Sequence, residues 1–186
     1  ELSIGTDTAL NNAVVALDSI KLSAAASHRC FVAEVMGRKC GYLSLMSGLA
    51  TGAEKVYLNE EGITLAGLAA DSERMVESFR SGRSLYLVIR NERASVNYTT
   101  DVLAHIFAEE GKGLYDVREA ILGHQQQGGS PTAFDRIMAT KLVAYSLELL
   151  AGALDPGVLG AIAAQDLGEA LADLPSAQLV TVLITG

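Results

Sequence analysis

The sequence predicts a layered α/β fold with a largely parallel or mixed sheet, and three observations predict it. Short apolar runs of strand length alternate with segments of helical periodicity from the first residues to about position 150. The helical segments are about 10 to 18 residues long, enough to cross over a sheet face. The loops after Val35, Ile89 and Leu122 concentrate the polar residues. Ligands in such folds collect beyond the carboxyl ends of strands.

In chain order, residues 8–25 read as a helix with Leu10, Val14, Leu17 and Leu22 at helical spacing, capped by Thr6 or Asp7. Residues 30–35 form a strand interrupted by Glu34, and Met36, Gly37 and Arg38 make a turn into a helix at 41–52. Residues 56–58 are a second strand, and 65–80 a helix closed by Ser81 and Gly82. Residues 85–89 are a buried strand. Threonines cap the next helix at 99–110, which ends at Gly111. A strand at 116–122, a loop at 123–131 and a long helix at 133–150 complete the readable part. In the tail, 157–164 and 179–184 read as strands and 167–174 as a short helix.

Composition narrows the function classes. The 186 residues suffice for one large domain or two small ones, and 49% hydrophobic with 19% charged residues excludes general disorder. A net charge of -8 argues against non-specific binding to nucleic acid or an acidic membrane. Nothing, including the apolar run at 147–154, approaches a membrane span. Cys30 and Cys40 are too few for a disulfide scaffold, so both are expected reduced and buried, in an intracellular protein. No signal or transit segment is recognisable, and the first residue is Glu1 rather than Met. The chain therefore reads as a processed product or part of a longer polypeptide.

The candidate chemistry is phosphate and hydroxyl recognition. Arg29, Arg38, Arg118 and His124 lie at strand edges or in turns. Arginine offers a planar fork of donors suited to phosphate. Arg38 follows Gly37, which permits close backbone approach, and precedes a helix N-terminus, which favours an anion. His124 opens a run of three glutamines between glycines, a low-charge set of amide donors and acceptors suited to hydroxyls. Glu92 could accept bonds from sugar hydroxyls, and Glu34 could pair with Arg29 or a helix terminus. Each has a plainer account: a surface charge, a turn histidine bonded to backbone, an ordinary carboxylate. No phosphate loop ending in Lys-Ser or Lys-Thr, no G-x-G-x-x-G after a strand and no serine elbow is present. His28, His105 and His124 show no metal-ligand spacing, so no metal site is expected.

Three motifs in order and register carry a resemblance: residues 3–11, residues 35–42, and residues 122–131 with Phe134, Asp135 and Arg136. Over residues 3–151 the chain resembles the ATP-dependent 6-phosphofructokinases, which imply a Rossmann-like layered sheet with flanking helices, here a partial chain. That family transfers the γ-phosphoryl of ATP to the 1-hydroxyl of fructose 6-phosphate with Mg²⁺, in glycolysis, in the cytoplasm. The resemblance places the nucleotide loop and the catalytic aspartate upstream of Glu1, so this segment alone should bind neither ATP nor Mg²⁺ and should not transfer phosphate. It assigns residues 1–131 to a sugar-phosphate-binding domain and 132–186 to a helix returning to a larger domain, plus tail.

The same resemblance gives Arg29 and Arg118 the role of reaching a sugar phosphate across a subunit or half-molecule interface. It lays Met36, Gly37 and Arg38 over the sugar, with Arg38 assisting transfer where the site is active. Glu92 would hold sugar hydroxyls and His124 the 6-phosphate. Gln127 departs from the pattern, since catalytic sites usually carry arginine there. The Gln126-Gln127-Gly128-Gly129 form, with residues 90–92, 97–101 and 109–113, is similar to the C-terminal, regulatory half of the fused eukaryotic enzymes. The implied ligand is then the activator fructose 2,6-bisphosphate. Arg38, often glycine in that half, favours the alternative, a catalytic fructose 6-phosphate site; a non-enzymatic assembly subunit is the third reading. Partners implied are the rest of the enzyme and neighbouring subunits, as a tetramer or larger.

Overall fold

The structure is a computed structural model that describes residues 3–24 and 27–153. The tail elements expected at 157–164, 167–174 and 179–184 lie outside the described residues. The chain divides into two compact units, Glu1–Pro131 and Thr132–Gly186.

The first unit runs α1 (Thr6–Ala24), β1 (Arg29–Val35), α2 (Tyr42–Thr51), β2 (Lys55–Tyr57), α3 (Leu65–Arg80), β3 (Leu85–Asn91), α4 (Thr100–Gly111) and β4 (Asp116–Ile121), then a single 3-10 turn, Gly123–Gln126. The four strands lie in the order β2-β3-β1-β4, and every pairing is parallel. The sequence left parallel and mixed sheets open. Helical crossovers between consecutive strands permit the parallel one.

Alternation on the two central strands builds the layers. Cys30 and Val32 of β1 and Tyr86 and Val88 of β3 join one apolar cluster with Leu68, Met75, Leu103 and Phe107 of α3 and α4. Phe31, Ala33, Val35, Leu87 and Ile89 point to the other face and cluster with Ala13 and Leu17 of α1. A strand buried on both faces reads as a continuous apolar run, as 85–89 does. β4, at one edge of the sheet, is mostly exposed.

Several boundaries and pairings differ from expectation for identifiable reasons. α1 begins at Thr6, so Thr6 and Asp7 sit in its first turn rather than before it. Thr64, not singled out from the sequence, caps α3 by accepting from the Gly67 amide, while Thr99 caps α4 as expected by accepting from the Val102 amide. α4 ends at Gly111 as expected, but the left-handed cap residue after it is Lys112, at φ 48°. Gly111 is needed for space instead, because a Cβ there would come within 2.7 Å of the Tyr115 ring. Cys30 is buried, and burial raises its thiol pKa strongly; Cys40 is exposed, contrary to expectation, because it lies in a turn. Glu34 pairs with Arg90 rather than Arg29, and it also meets a helix terminus, the expected alternative, by accepting from the Thr100 hydroxyl at the start of α4.

On the exposed face of α4, the Asp101 carbonyl and then its carboxylate hold the His105 imidazolium above its ordinary value. A raised folded pKa stabilises below the unfolded value near 6.5, and the effect is lost as pH rises through the folded value. NMR titration should find His105 titrating above 6.5. Asp101→Asn should bring it only part of the way back, because the carbonyl contact persists.

The second unit is described by α5 (Ala133–Ala153), whose first turn holds Asp135.

Candidate functional site

Loops at the carboxyl end of the sheet surround a cleft of about 670 Å³. Its lining includes Met36, Gly37 and Arg38 after β1, Glu92 after β3, and His124 and Gln127 after β4. Six of the eight residues proposed from sequence are thus brought together. Cys40, Tyr42 and Gln126, with Ser3 and Thr6 at the start of the chain, complete the polar part of the wall.

The turn after β1 is the most constrained wall. At Gly37 a Cβ would lie 2.4 Å from the Cys40 carbonyl oxygen and 2.8 Å from Asn91 Nδ2. The Cys40 amide closes the turn onto the Gly37 carbonyl at 2.9 Å. Arg38 then adopts φ 48°, a left-handed conformation that non-glycine residues rarely take. That conformation is held from outside. Glu92 Oε1 accepts from the Gly37 amide at 3.2 Å and from the Arg38 amide at 2.7 Å.

Glu92 therefore has a structural task that sequence alone did not show. One carboxylate oxygen clasps two consecutive amides, an arrangement that elsewhere cradles anions. The α2 N-terminus, expected to favour an external anion, already has an internal one: Glu60 Oε1 accepts from the Gly41 amide at 2.8 Å.

Gln126 ties the first loop to the third. It is buried to 2% exposure, accepts from the Met36 amide at 3.0 Å and donates to the Met36 carbonyl at 3.4 Å. Asn12 of α1 secures the same loop, donating to the carbonyls of Gln126 at 3.2 Å and Gly128 at 2.8 Å. Of the three glutamines, 126 is a strut and 127 faces the cleft. Their spacing held no signal of this division. The turn geometry decides which amide turns inward.

Beneath Glu92 lies Arg90, the largest side chain that is fully buried, at 2% exposure. Its Nη1 donates to Glu34 Oε2 at 2.7 Å and to the Glu92 carbonyl at 3.4 Å. Nε donates to the Tyr98 carbonyl at 3.0 Å and Nη2 to the Ser95 carbonyl at 2.6 Å. The Thr100 hydroxyl also donates to Glu34 Oε2. Burial lowers the Arg90 pKa, and Glu34 pulls it back up. Asn91 adds a further brace, donating to the Cys40 carbonyl at 3.1 Å and accepting from the Arg93 amide at 2.9 Å. A charged arginine inside an apolar strand was the available sequence signal, because such a group is buried only when fully partnered.

Arg29 and Arg118 lie elsewhere. Arg29 begins β1, six residues before Val35 and roughly 20 Å up the strand from the cleft at about 3.3 Å per residue. Arg118 is opposite Phe31 in register, which puts it on the same sheet face as Arg29. It is exposed, 3.8 Å from Asp116. The Nε of Arg29 is buried without a hydrogen-bond partner.

Among the described residues, no three His, Cys, Asp or Glu side chains converge as a metal site. No described helix is long and apolar enough to cross a membrane.

Comparison with known proteins identifies the neighbourhood. Residues 1–150 match the family model described as Phosphofructokinase. Over 149 residues the chain is 53% identical to the ATP-dependent 6-phosphofructokinase of Dictyostelium discoideum, covering 80% of this chain and 18% of that protein. Over 153 residues it is 47% identical to the muscle-type enzyme of Oryctolagus cuniculus, covering 82% of this chain and 20% of that protein. The T-state crystal structure of Pichia pastoris phosphofructokinase aligns with a TM-score of 0.75 at 41% identity, over 79% of this chain and 17% of that one. A pyrophosphate-dependent phosphofructokinase from Marinobacter aquaeolei, at 22% identity and a TM-score of 0.60, shares the fold, over 81% of this chain and 39% of that one. The chain thus spans about a fifth of the length of these curated relatives.

Proposed function

Because this chain belongs to the phosphofructokinase family, we propose that it supplies the fructose-phosphate pocket of a fused, duplicated enzyme, and that this pocket takes fructose 2,6-bisphosphate as an effector. The observation that carries the reading is the cleft itself. Residues from three separate loops, Met36 to Arg38, Glu92, and His124 with Gln127, face one volume of about 670 Å³, enough for a sugar bisphosphate.

Arg38 and His124 offer a cation and a hydrogen-bonding imidazole for phosphate groups, and Gln127 and Glu92 offer groups for sugar hydroxyls. Gln127 is neutral where a catalytic site of the family carries arginine. That change weakens a monophosphate contact, because a charge-assisted bond is roughly twice as strong as a neutral one. A second phosphate on the ligand restores the lost attraction through Arg38. Arg29 and Arg118, on one sheet face and away from this cleft, suit a second role: completing a pocket on a neighbouring half or subunit of a tetramer or larger assembly. A cytoplasmic enzyme is part of the same reading.

ATP and Mg²⁺ belong to the parent activity. No phosphoryl-transfer step is assigned to the described residues. Within this segment the work is binding and orientation.

Arg38 favours a second reading, a catalytic fructose 6-phosphate site. Calorimetry on the intact protein separates the two. The effector reading expects fructose 2,6-bisphosphate to bind tighter than fructose 6-phosphate by about tenfold or more. It also expects Gln127→Arg to narrow that gap by strengthening the monophosphate. The opposite preference, with turnover lost on Arg38→Ala, establishes the catalytic reading. Binding of neither leaves an assembly role.

A further inference from the structure

We infer that Arg90 is a positioning residue that acts through Glu92, fixing the conformation of the Gly37–Arg38 backbone at the cleft although it does not touch that backbone itself. Where the consequence is read as ligand affinity, the inference rests on the function proposed above. Where it is read as backbone protection, it stands on geometry alone.

The chain of contacts is short. Arg90 gathers the carbonyls of Glu92, Ser95 and Tyr98, which are spread along the whole loop after β3. It anchors them to Glu34 on the neighbouring strand, where Glu34 and Arg90 are paired in register. The loop is thereby wrapped around one planar group. Its first residue, Glu92, then projects a carboxylate that accepts from the Gly37 and Arg38 amides. Those bonds hold Arg38 at φ 48°.

Geometry favours arginine over lysine here. Four acceptors lie around a fixed fork of donors, reached from Nε, Nη1 and Nη2 together. A lysine would keep the charge opposite Glu34 but has one nitrogen, which cannot span the Ser95 and Tyr98 carbonyls as well. The buried site leaves no room for water to substitute freely, since Arg90 is only 2% exposed. Loss of the fork therefore frees the loop, and with it the position of the Glu92 carboxylate.

Amide hydrogen exchange on the intact protein tests this. Arg90→Lys should speed exchange at residues 92–98 and also at the Gly37 and Arg38 amides, the latter by about tenfold or more. Glu92→Ala should speed exchange at Gly37 and Arg38 to a similar degree. Adding Arg90→Lys to Glu92→Ala should add nothing further at those two amides, because the path through Glu92 is already broken. Faster exchange at 92–98 with unchanged Gly37 and Arg38 overturns the inference, as does full additivity in the double variant. If Arg90→Lys does not fold, Glu34→Gln serves. It keeps an acceptor for Arg90 but removes the charge, and it should give the same pattern at smaller amplitude; protection at Gly37 and Arg38 equal to the parent overturns the inference.

Fructose 2,6-bisphosphate titration adds the functional arm. Arg90→Lys should weaken binding, by no more than Glu92→Ala does, and the double variant should be no weaker than Glu92→Ala alone. If the parent protein binds no fructose phosphate while the exchange pattern holds, the proposed ligand is wrong and the positioning role stands. If the parent binds and Glu92→Ala weakens it, but Arg90→Lys does not, the positioning role is wrong and the ligand stands.

Discussion

Glu34→Ala should lower the unfolding free energy by about 3 kcal/mol, measured by urea denaturation. The reason is what it leaves behind. Arg90 is 2% exposed, and its Nη1 loses the carboxylate 2.7 Å away while the carbonyl contacts remain. Removing one partner of a buried pair strands a charge, which costs far more than the pair contributes over an apolar equivalent. Glu34 is itself 21% exposed, so some solvent enters and the loss sits near the lower end of the usual range. The Thr100 hydroxyl, at the first residue of α4, loses its acceptor as well. Two controls separate charge from packing. Glu34→Gln retains an acceptor and should cost less. Glu34→Ala combined with Arg90→Met should be more stable than Glu34→Ala alone, because the unpaired cation is gone. A double variant less stable than the single one would show that the network's packing, and not its charge, dominates.

Gly37→Ala should destabilise by about 1–3 kcal/mol and, on the function proposed above, weaken fructose-phosphate binding by about tenfold or more. The Gly37 φ is not in the left-handed region, so the objection to alanine is steric. Its Cβ would meet a backbone oxygen at 2.4 Å, and a backbone atom cannot move aside as a flexible side-chain end can. To relieve the clash the turn must open. Opening lengthens the bonds from the Gly37 and Arg38 amides to Glu92 and carries Arg38 away from the cleft. Gly123→Ala is the comparison. At φ 48° with nothing within 4 Å of a Cβ, it meets only the left-handed backbone penalty of about 1 kcal/mol. Calorimetry on both variants, with urea curves alongside, reads the two effects separately. Equal losses of affinity in the two would refute the steric account of Gly37.

The element pattern was largely legible in the sequence because burial on one or both faces imposes a period. The central strands β1 and β3 had to be apolar, and α3 needed an apolar stripe and a capping threonine. The mostly exposed strand β4 was legible too, read over 116–122 against Asp116–Ile121. Strand ends were less so. The ends of β1 and β3 were read short by one and two residues because Arg29, Arg90 and Asn91 are polar, although the last two are buried.

The site divides in the same way. The sequence by itself determined that polar, phosphate-compatible groups stand at the carboxyl ends of three strands, since residue type and strand order are local properties. It also supplied the family through motifs in register. Only the tertiary structure decided which of those groups share a volume and which groups support them. Arg29 and Arg118 are chemically as suited to phosphate as Arg38, yet a strand of seven residues separates Arg29 from the cleft. Arg90, Asn12, Asn91 and Gln126 touch partners far along the chain, up to 116 residues apart for Asn12. A hydrogen bond is specific in distance and angle, and a distant partner leaves no period in the sequence. Hydrophobic burial is non-directional and therefore patterned, so the sheet was visible in the letters while the clasp of Glu92 on the Gly37–Arg38 turn was not.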